Sequence, residues 1–235
     1  MTNDKIYSKN FDPVPPFEFN KEVADVFDNM ISRSVPMYYE LEELISKFAI
    51  HYYKEDSHIY DLGCSTGETL IQISKRAKQN ISLIGADSSE AMINKARQRC
   101  KKHSNIELTI ADIRNIPLNN ASVVILTYVL QFLPIKNRLK LIHNIYSNLL
   151  PNGVILLSEK VSFKQNNQDF IKLHEQFKES KNYSKLEIKQ KREALENVLI
   201  NKTQAENIQM LKDAGFKIIE PFFQYLNFCS FLAIK

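Results

Sequence analysis

The sequence predicts an α/β domain whose mostly parallel sheet ends in an antiparallel hairpin. Short apolar runs suited to buried strands alternate with helix-periodic stretches through the first two thirds of the chain. A charged, helix-like segment without a strand follows, and two apolar strands close the sequence with no helix between them. With 235 residues the chain has room for one such domain, so we expect a single unit over 1–235.

Five apolar runs predict the parallel strands, at 58–62, 82–86, 107–111, 122–127 and 154–158. The stretches between them predict helices at 69–78, 90–103 and 135–149. Because strand and helix alternate, the connections are expected to be right-handed crossovers within one parallel sheet.

Two capping boxes organise the last third of the chain. Ser184 with Glu187 predicts the start of one helix, within a helical insert at about 160–200. Thr203 with Glu206 predicts the start of another, which Gly215 ends. The runs at 217–220 and 228–234 then predict an antiparallel pair, which gives seven strands in all. The polar stretch 1–20, with three prolines, is expected to form an N-terminal arm.

Composition narrows the classes of function. The 31 basic and 27 acidic residues give a net charge of +4, too small to indicate nucleic-acid binding. Cys64, Cys100 and Cys229 are odd in number and lack metal-ligand spacing, which favours reduced thiols in a cytosolic protein. Residues 1–20 lack the apolar core of a signal peptide, and no run of eighteen apolar residues predicts a membrane span. We therefore expect a cytoplasmic protein that binds no metal, membrane or nucleic acid directly.

The segment 59–67 is the most informative local feature. It predicts a strand that enters a turn containing Gly63 and Gly67 just before a helix, an arrangement suited to a nucleotide-like ligand. The glycines would let the backbone approach that ligand closely. A tight turn without a ligand would carry the same glycines. Asp61 argues for the ligand, because an acid at the end of a buried strand is costly unless it has a partner.

Acidic residues also end the next two predicted strands. Asp87, 26 residues after Asp61, is placed to accept hydrogen bonds from two ribose hydroxyls, although it could also cap the following helix. Asp112 suits an adenine amino group, with Ile113 against the ring, although a simple loop aspartate would look the same. Three acids at successive strand ends, without a Walker-type lysine loop, favour an adenosyl ligand that lacks phosphate.

The remaining candidate residues do not identify which reaction the protein catalyses. The segment 126–131 lacks the Asn/Asp-Pro-Pro-aromatic motif of enzymes that methylate nucleobase amino groups. Cys64 is better explained as a small filler than as a nucleophile, since no motif pairs it with a histidine. Three interpretations fit the basic cluster: a solvated helix face, an RNA-binding patch, or an arginine that clamps a carboxylate. Its members are Lys185, Lys189, Lys191 and Arg192.

Five segments, at 26–36, 60–65, 130–133, 157–160 and 183–192, together resemble the carboxy-S-adenosyl-L-methionine synthases. The resemblance extends from about residue 19 to the end of the chain. It implies the fold of class I methyltransferases, which is Rossmann-like, and S-adenosyl-L-methionine as a substrate rather than a methyl donor. It also implies prephenate as the carboxyl donor, phenylpyruvate as the second product, and delivery of the carboxylated product to an enzyme that modifies the tRNA wobble uridine.

The resemblance assigns roles to individual residues. Asp61 would meet the ammonium group, and Arg192 would meet the added carboxylate. Thr127 stands where the family has asparagine, so its contact to the ligand has one hydrogen-bonding group fewer. The remaining roles are a cover over the ligand for Tyr38, a lining for Gly63, Cys64 and Ser65, ribose binding for Asp87 and Ser88, and adenine binding for Asp112 and Ile113.

The family also implies a homodimer, and we expect the helical insert after Glu159 to form its interface. Glu159 and Lys160 are candidates for the prephenate site, or they form an ordinary ion pair at a strand end. Two rival functions stay open at this point. One is a conventional methyltransferase for a small acceptor, and the other is an RNA-binding module that has kept a nucleotide pocket.

Overall fold

The computed structural model describes residues 3–78 and 80–235, and its centre is a sheet with helices on both faces. Seven strands follow the order β3-β2-β1-β4-β5-β8-β7, and the two-residue strand β6 pairs with β5 outside this path. The strands are β1 (His58–Leu62), β2 (Ser82–Asp87), β3 (Ile106–Ile110), β4 (Ala121–Thr127), β5 (Leu149–Ser162), β6 (Lys202–Thr203), β7 (Ile218–Tyr225) and β8 (Phe228–Ile234).

Strands β1 to β5 pair in parallel, and β8 lies antiparallel between β5 and β7. The predicted fold class, a mostly parallel seven-stranded sheet with an antiparallel C-terminal hairpin, is confirmed. The short β6 was not predicted. Strand β5 is much longer than the predicted 154–158, because its first residue pairs with β4, residues 159–160 pair with β8 and residues 161–162 pair with β6.

The helices are α1 (Lys21–Ser34), α2 (Tyr38–Tyr52), α3 (Glu68–Arg76), α4 (Glu90–Cys100), α5 (Ile135–Asn148), α6 (Asn167–Ser180), α7 (Lys185–Ala194) and α8 (Gln204–Asp213). Both predicted capping boxes are present, at the starts of α7 and α8. Helix α4 ends at Cys100, three residues earlier than predicted, where the chain turns towards β3. Helices α1 and α2 were not predicted, although Asn20 caps α1 by accepting from Val23 N.

Alternate residues of the central strands enter two separate cores. Ile59 packs with helices α2, α3 and α4 on one face of the sheet, whereas Tyr60 and Leu62 pack with α5 and α8 on the other. This alternation follows from the two-residue period of a strand. The carboxyl ends of β1, β2 and β4 lie together at one edge of the sheet, where α1, α2 and the helical insert meet.

The N-terminal arm is tied to the domain near this edge. Ser89 Oγ donates to Phe19 O (2.6 Å), and Phe17 N donates to Ala194 O (2.8 Å). The first two residues of the predicted arm lie outside the described residues. Within the described ranges, no helix has the length and apolarity needed to cross a membrane.

Candidate active site

A cavity of about 590 Å³ opens at the carboxyl ends of β1, β2 and β4, which is large enough for a drug-sized ligand. Its floor is the turn after β1 together with the residues that follow β2 and β4. Helices α1 and α2 form one wall, and the insert with α6 and α7 forms another. Nearly all the residues assigned to ligand binding line it: Tyr38, Gly63, Cys64, Ser65, Asp87, Ser88, Asp112, Ile113 and Thr127.

The glycine turn has the left-handed backbone that its sequence suggests. Gly63 has φ +85°, and a Cβ there would lie 2.4 Å from Val129 Cγ2. At Gly67, with φ +80°, a Cβ would lie 2.9 Å from Cys100 Sγ. Protein side chains therefore exclude a larger residue at both positions, whereas the sequence analysis attributed the glycines to ligand approach. Ser65, with φ +50°, adopts a conformation that glycine usually takes.

Asp87 is held within the turn by backbone amides. Its carboxylate accepts from Ser65 N (3.0 Å) and from Ser89 N (2.9 Å). Burial raises the pKa of Asp87, and these amides oppose the rise. Ser89, which accepts from Met92 N, is the N-cap of α4, so the alternative role of Asp87 as that cap is wrong. The carboxylate of Asp87 instead fixes the shape of the cavity floor.

Asp112 pairs with a neighbour at the mouth of the cavity. Arg114 Nε donates to both carboxylate oxygens of Asp112 at 2.9 Å, and this contact holds the pKa of Asp112 below its usual value. Asp112 also accepts from Arg114 N and thereby caps a short 3-10 turn that begins at Ile113. Ile113 is buried beside it. An apolar surface and an oriented carboxylate thus meet at this end of the cavity.

Unpartnered polar atoms mark the cavity as a binding site. Six buried side-chain oxygens lack a hydrogen-bond partner among the described residues, and four of them belong to residues that line the cavity. These four are Glu42 Oε2, Asp61 Oδ2, Thr127 Oγ1 and Tyr128 OH. A buried polar atom without a partner costs free energy. A polar ligand in the cavity would supply the missing partners.

One end of the cavity is acidic. Burial raises the pKa of Glu42 to about 7, with a smaller contribution from the charge of Glu68. Burial also raises the pKa of Asp61 well above its usual value, and the Glu42 charge adds to the effect. The Cys64 thiol beside them has a strongly raised pKa for the same reason, burial first and Asp61 second. Cys64 is therefore a protonated filler rather than a nucleophile.

The other end of the cavity is basic. Lys160 and Lys191 line it, and burial lowers the pKa of each to about 8. His174 lies with them, and burial followed by the Lys160 charge lowers its pKa to about 3. Its Nε2 is 2.7 Å from Ser34 O, so the neutral ring donates a hydrogen bond there. This end of the cavity thus presents two cations to a ligand.

The basic cluster found in the sequence divides into two parts. Lys191 turns inward, where its Nζ donates to Ser34 Oγ (3.0 Å), whereas Lys185 and Lys189 are exposed on α7. Arg192 does not line the cavity of its own chain. Its side chain is 62% exposed, and Nη1 donates to Glu175 Oε1 at 2.8 Å. Its assignment to the added carboxylate stays a prediction.

Glu159 and Lys160 serve different faces of β5. Glu159 accepts from Leu130 N (3.0 Å) and lies near Arg138, whereas Lys160 lines the cavity. Successive residues of a strand point to opposite faces, so the interpretation of these two as an ion pair is wrong. Of these two candidates for the prephenate site, Lys160 lines the cavity and Glu159 does not.

Aromatic residues that the sequence analysis did not assign cover the cavity. Phe17 and Phe19 of the arm line it together with Phe132, and the rings of Phe19 and Phe132 meet edge to face with centroids 5.1 Å apart. The alternation of phenylalanine with polar residues at 17–19 is too short a pattern to locate these contacts. These rings give the cavity an apolar wall on this side.

Comparisons with known proteins agree with this geometry. A family model described as a methyltransferase domain matches residues 59–153. A carboxy-S-adenosyl-L-methionine synthase of Haemophilus ducreyi is 43% identical over 241 residues, covering 100% of this chain and 99% of the relative. Another from Desulfotalea psychrophila is 44% identical over 233 residues, covering 97% of this chain and 95% of the relative.

Solved structures share the fold at low identity. An O-methyltransferase family protein from Burkholderia thailandensis has a TM-score of 0.67 and 17% identity, over 94% of this chain and 64% of that one. Human N-acetylserotonin methyltransferase, solved with S-adenosyl-L-methionine, has a TM-score of 0.63 and 16% identity, over 92% of this chain and 55% of that one. These similarities establish a methyltransferase-like fold.

Proposed function

The chain belongs to the carboxy-S-adenosyl-L-methionine synthases, transferases with S-adenosyl-L-methionine as substrate, and we propose that its carboxyl donor is prephenate. The products would be carboxy-S-adenosyl-L-methionine and phenylpyruvate. One observation carries the choice of donor: the cavity has carboxyl groups at one end and two lysines at the other. Such a site suits a cationic sulfonium substrate next to a dianionic donor.

The proposed reaction balances without a cofactor. Prephenate loses its ring carboxylate as CO2, and the electron pair left behind aromatises the ring by expelling the C4 hydroxyl as hydroxide. Hydroxide removes a proton from the S-methyl group, which the neighbouring sulfonium acidifies, and water forms. The resulting carbanion attacks CO2 and forms the new carbon–carbon bond. The protein needs to hold both reactants together and exclude water, and the phenylalanine cover suits that task.

We propose a role in substrate binding for the residues at each end of the cavity. Asp87 and Ser88 bind the ribose, and Asp112 with Ile113 binds the adenine, while Tyr38 and the turn residues Gly63, Cys64 and Ser65 enclose the ligand. Thr127 Oγ1, which is buried without a partner, contacts the substrate in place of the family asparagine. Lys160 and Lys191 bind the prephenate carboxylates, because both lysines line the cavity and attract an anion. Lys191 already contacts Ser34 Oγ (3.0 Å) and the Asp4 carboxylate (3.9 Å), so it binds the donor in addition to these partners.

Arg192 is proposed to bind the carboxylate that the reaction adds. The arginine fork suits a carboxylate, and family resemblance assigns it this role. Because Arg192 lies outside the cavity of its own chain, we propose that it acts in a homodimer, at the cavity of the second subunit. The product would then pass to an enzyme that carboxymethylates the tRNA wobble uridine, without direct RNA binding by this chain.

Mass spectrometry of the reaction tests the donor. The protein is incubated with S-adenosyl-L-methionine and prephenate labelled with 13C in the ring carboxylate. We expect a labelled product heavier than S-adenosyl-L-methionine by one CO2, together with unlabelled phenylpyruvate. Product formed only from another carboxyl donor would overturn the choice of prephenate, and S-adenosylhomocysteine with a methylated acceptor would favour the conventional methyltransferase. Tight, salt-dependent binding of tRNA would favour the RNA-binding module.

A further inference from the structure

The family resemblance already places Asp61 at the α-ammonium group of S-adenosyl-L-methionine. We propose that Glu42 is a second carboxyl group at this position and that a proton passes to solvent when the ligand binds. Glu42 lies in the second turn of α2, and Asp61 lies near the end of β1. Both side chains line the cavity and both residues are 1% exposed. Each has one carboxyl oxygen that is buried without a partner. Two acceptors from different elements therefore meet in one place.

The groups around Glu42 are acidic or neutral. Glu68 lies beside it at the start of α3 and is itself paired with Arg99, which also binds Asp28 at 3.1 Å. The hydroxyls of Thr69 and Tyr38 lie next to Glu42, and Tyr128 OH is near enough to be influenced by its charge. Asp87 acts on Asp61 from β2. Since the influences on Glu42 and Asp61 include no cation, a cationic ligand would meet uncompensated acceptors.

An ammonium group matches this arrangement better than the other groups of the substrate. It carries three N–H donors, which can satisfy two carboxyl oxygens and one hydroxyl. The sulfonium is cationic but has no donor, and the ribose hydroxyls are neutral. The ligand carboxylate would be repelled by both acids and attracted by a hydroxyl donor such as Tyr128 OH, which also lacks a partner. These residues therefore favour a ligand whose amino acid part carries a free ammonium group.

Binding must then displace a proton. Two carboxyl groups buried in one region cannot both be ionised at low cost, so the empty cavity keeps at least one of them protonated near neutral pH. The ammonium stabilises both carboxylates, and the protonated carboxyl group of Glu42 becomes a carboxylate as its proton passes to water. The ligand keeps its own proton, so one proton is released for each ligand bound.

Isothermal titration calorimetry in buffers of different ionisation enthalpy measures the number of protons released per ligand bound. Three ligands are compared at about pH 6 to 7, where α-amino groups are protonated. S-adenosyl-L-methionine and S-adenosylhomocysteine should both release about one proton at pH 6 and about half a proton at pH 7. 5′-Methylthioadenosine, which has no amino acid, should release none. Release by S-adenosyl-L-methionine but not by S-adenosylhomocysteine would assign the effect to the sulfonium and overturn the proposal.

Substitutions of Glu42 and of its neighbour Glu43 test which carboxyl group releases the proton. When S-adenosyl-L-methionine binds, Glu42→Gln should release a smaller fraction of a proton than the original protein, since Asp61 alone remains to be deprotonated. Its dissociation constant should also fall less steeply as pH rises from 5 to 7. Glu43→Gln changes the next residue of α2, which is exposed and paired with Lys47, and should keep the release. Full release by Glu42→Gln would overturn the proposal. The inference rests on the family substrate S-adenosyl-L-methionine and makes no use of prephenate, so failure of the labelled carboxylation would leave it standing.

Discussion

Glu42 and Asp61 enter one cavity from different elements, the first from α2 and the second from β1, and each has a buried carboxyl oxygen without a partner among the described residues. Burial and the Glu42 charge together raise the pKa of Asp61, and burial raises the pKa of Glu42 to about 7. The empty protein therefore carries a cost that a cationic ligand would remove. Stability and binding are coupled through the same two groups.

Replacing Glu42 by glutamine should stabilise the protein without ligand at pH 8 and should do so much less at pH 5. The pKa of Glu42 rises from 4.5 to about 7 on folding, so the folded state binds more protons than the unfolded state between these values. Stability therefore falls as pH rises through this window, and it remains lower above pH 7. We expect a gain of about 1–3 kcal/mol at pH 8, measured by urea unfolding. Equal gains at both pH values would contradict this origin, and Glu43→Gln serves as the control.

Replacing Lys191 by methionine should raise the KM for prephenate by about 10- to 100-fold, because an anion loses a cation that faces it inside the cavity. The dissociation constant of S-adenosyl-L-methionine should change by less than about threefold, since the acidic end is unaltered. The pKa of Lys191 is about 8, so the empty enzyme should lose kcat/KM for prephenate as pH rises above that value.

Lys189→Met is the matched control, because Lys189 is exposed on the same helix. Steady-state kinetics of both variants, with each substrate varied in turn, separates the two sites. A similar loss for S-adenosyl-L-methionine and prephenate would indicate that Lys191 supports the fold of the insert rather than binding the donor.

The cavity floor could be predicted from the sequence, whereas its walls could not. Asp61 and Asp87 end neighbouring parallel strands, and such ends meet at one edge of a sheet, so local patterns were enough to bring them together. Lys189 and Lys191 are only two positions apart on α7, yet one is exposed and the other faces the cavity. Which face of α7 turns inward depends on how the insert packs, and neither lysine carries a local signal of it.

Glu42 was not identified from the sequence as a site residue, because the burial of this side chain also depends on how helices pack. Glu40, Glu42 and Glu43 all lie in the first turns of α2, where acidic residues are common because they interact favourably with the helix dipole. Glu42 alone of these three is buried, and its burial follows from the contact of α2 with α3 and the sheet. Helix α2 itself was not predicted, so the sequence offered no frame in which to place this carboxyl group.

Replacing Arg192 by alanine should weaken the binding of carboxy-S-adenosyl-L-methionine by about 10- to 100-fold and that of S-adenosyl-L-methionine by less than about threefold. The reason is that only the carboxylated ligand has the group that this arginine is proposed to bind. Calorimetry with both ligands measures the difference, and Lys189→Ala is the control. Equal loss for the two ligands would mean that Arg192 is not the carboxylate clamp.

Replacing Phe19 by alanine should open the cover over the cavity. The ring packs edge to face against Phe132, and the backbone of Phe19 is held by Ser89. We expect faster dissociation of S-adenosyl-L-methionine and release of CO2 from prephenate without carboxylation, because water reaches the reactants. The ratio of carboxylated product to phenylpyruvate measures this uncoupling. Phe11→Ala, in the same arm but outside the cavity lining, should leave the ratio near one.

Arg138 and Glu159 should be strongly coupled in stability. Arg138, 1% exposed, donates to Leu133 O (3.0 Å) and Ile200 O (2.9 Å), while Glu159 accepts from Leu130 N. Together they fix the segment after β4 that lines the cavity. Arg138→Met should lower the free energy of unfolding at pH 9 by about 1–3 kcal/mol, because it removes the donor to two carbonyls and the cation that acts on Glu159.

The double variant Arg138→Met with Glu159→Gln should be more stable than the sum of the single effects predicts, because neither charge then remains buried alone. Urea unfolding of the four proteins at pH 9, where the Glu159 carboxyl group is mostly ionised, gives the coupling free energy, which we expect to be about 1–3 kcal/mol. Burial raises the pKa of Glu159 to about 8 even beside Arg138, so without that cation the carboxyl group should be still more readily protonated. The loss in Arg138→Met should then diminish from pH 9 to pH 6, where Glu159 is protonated and no buried anion is left without a cation. Additive effects that do not vary with pH would show that Arg138 stabilises this segment through its carbonyl contacts alone.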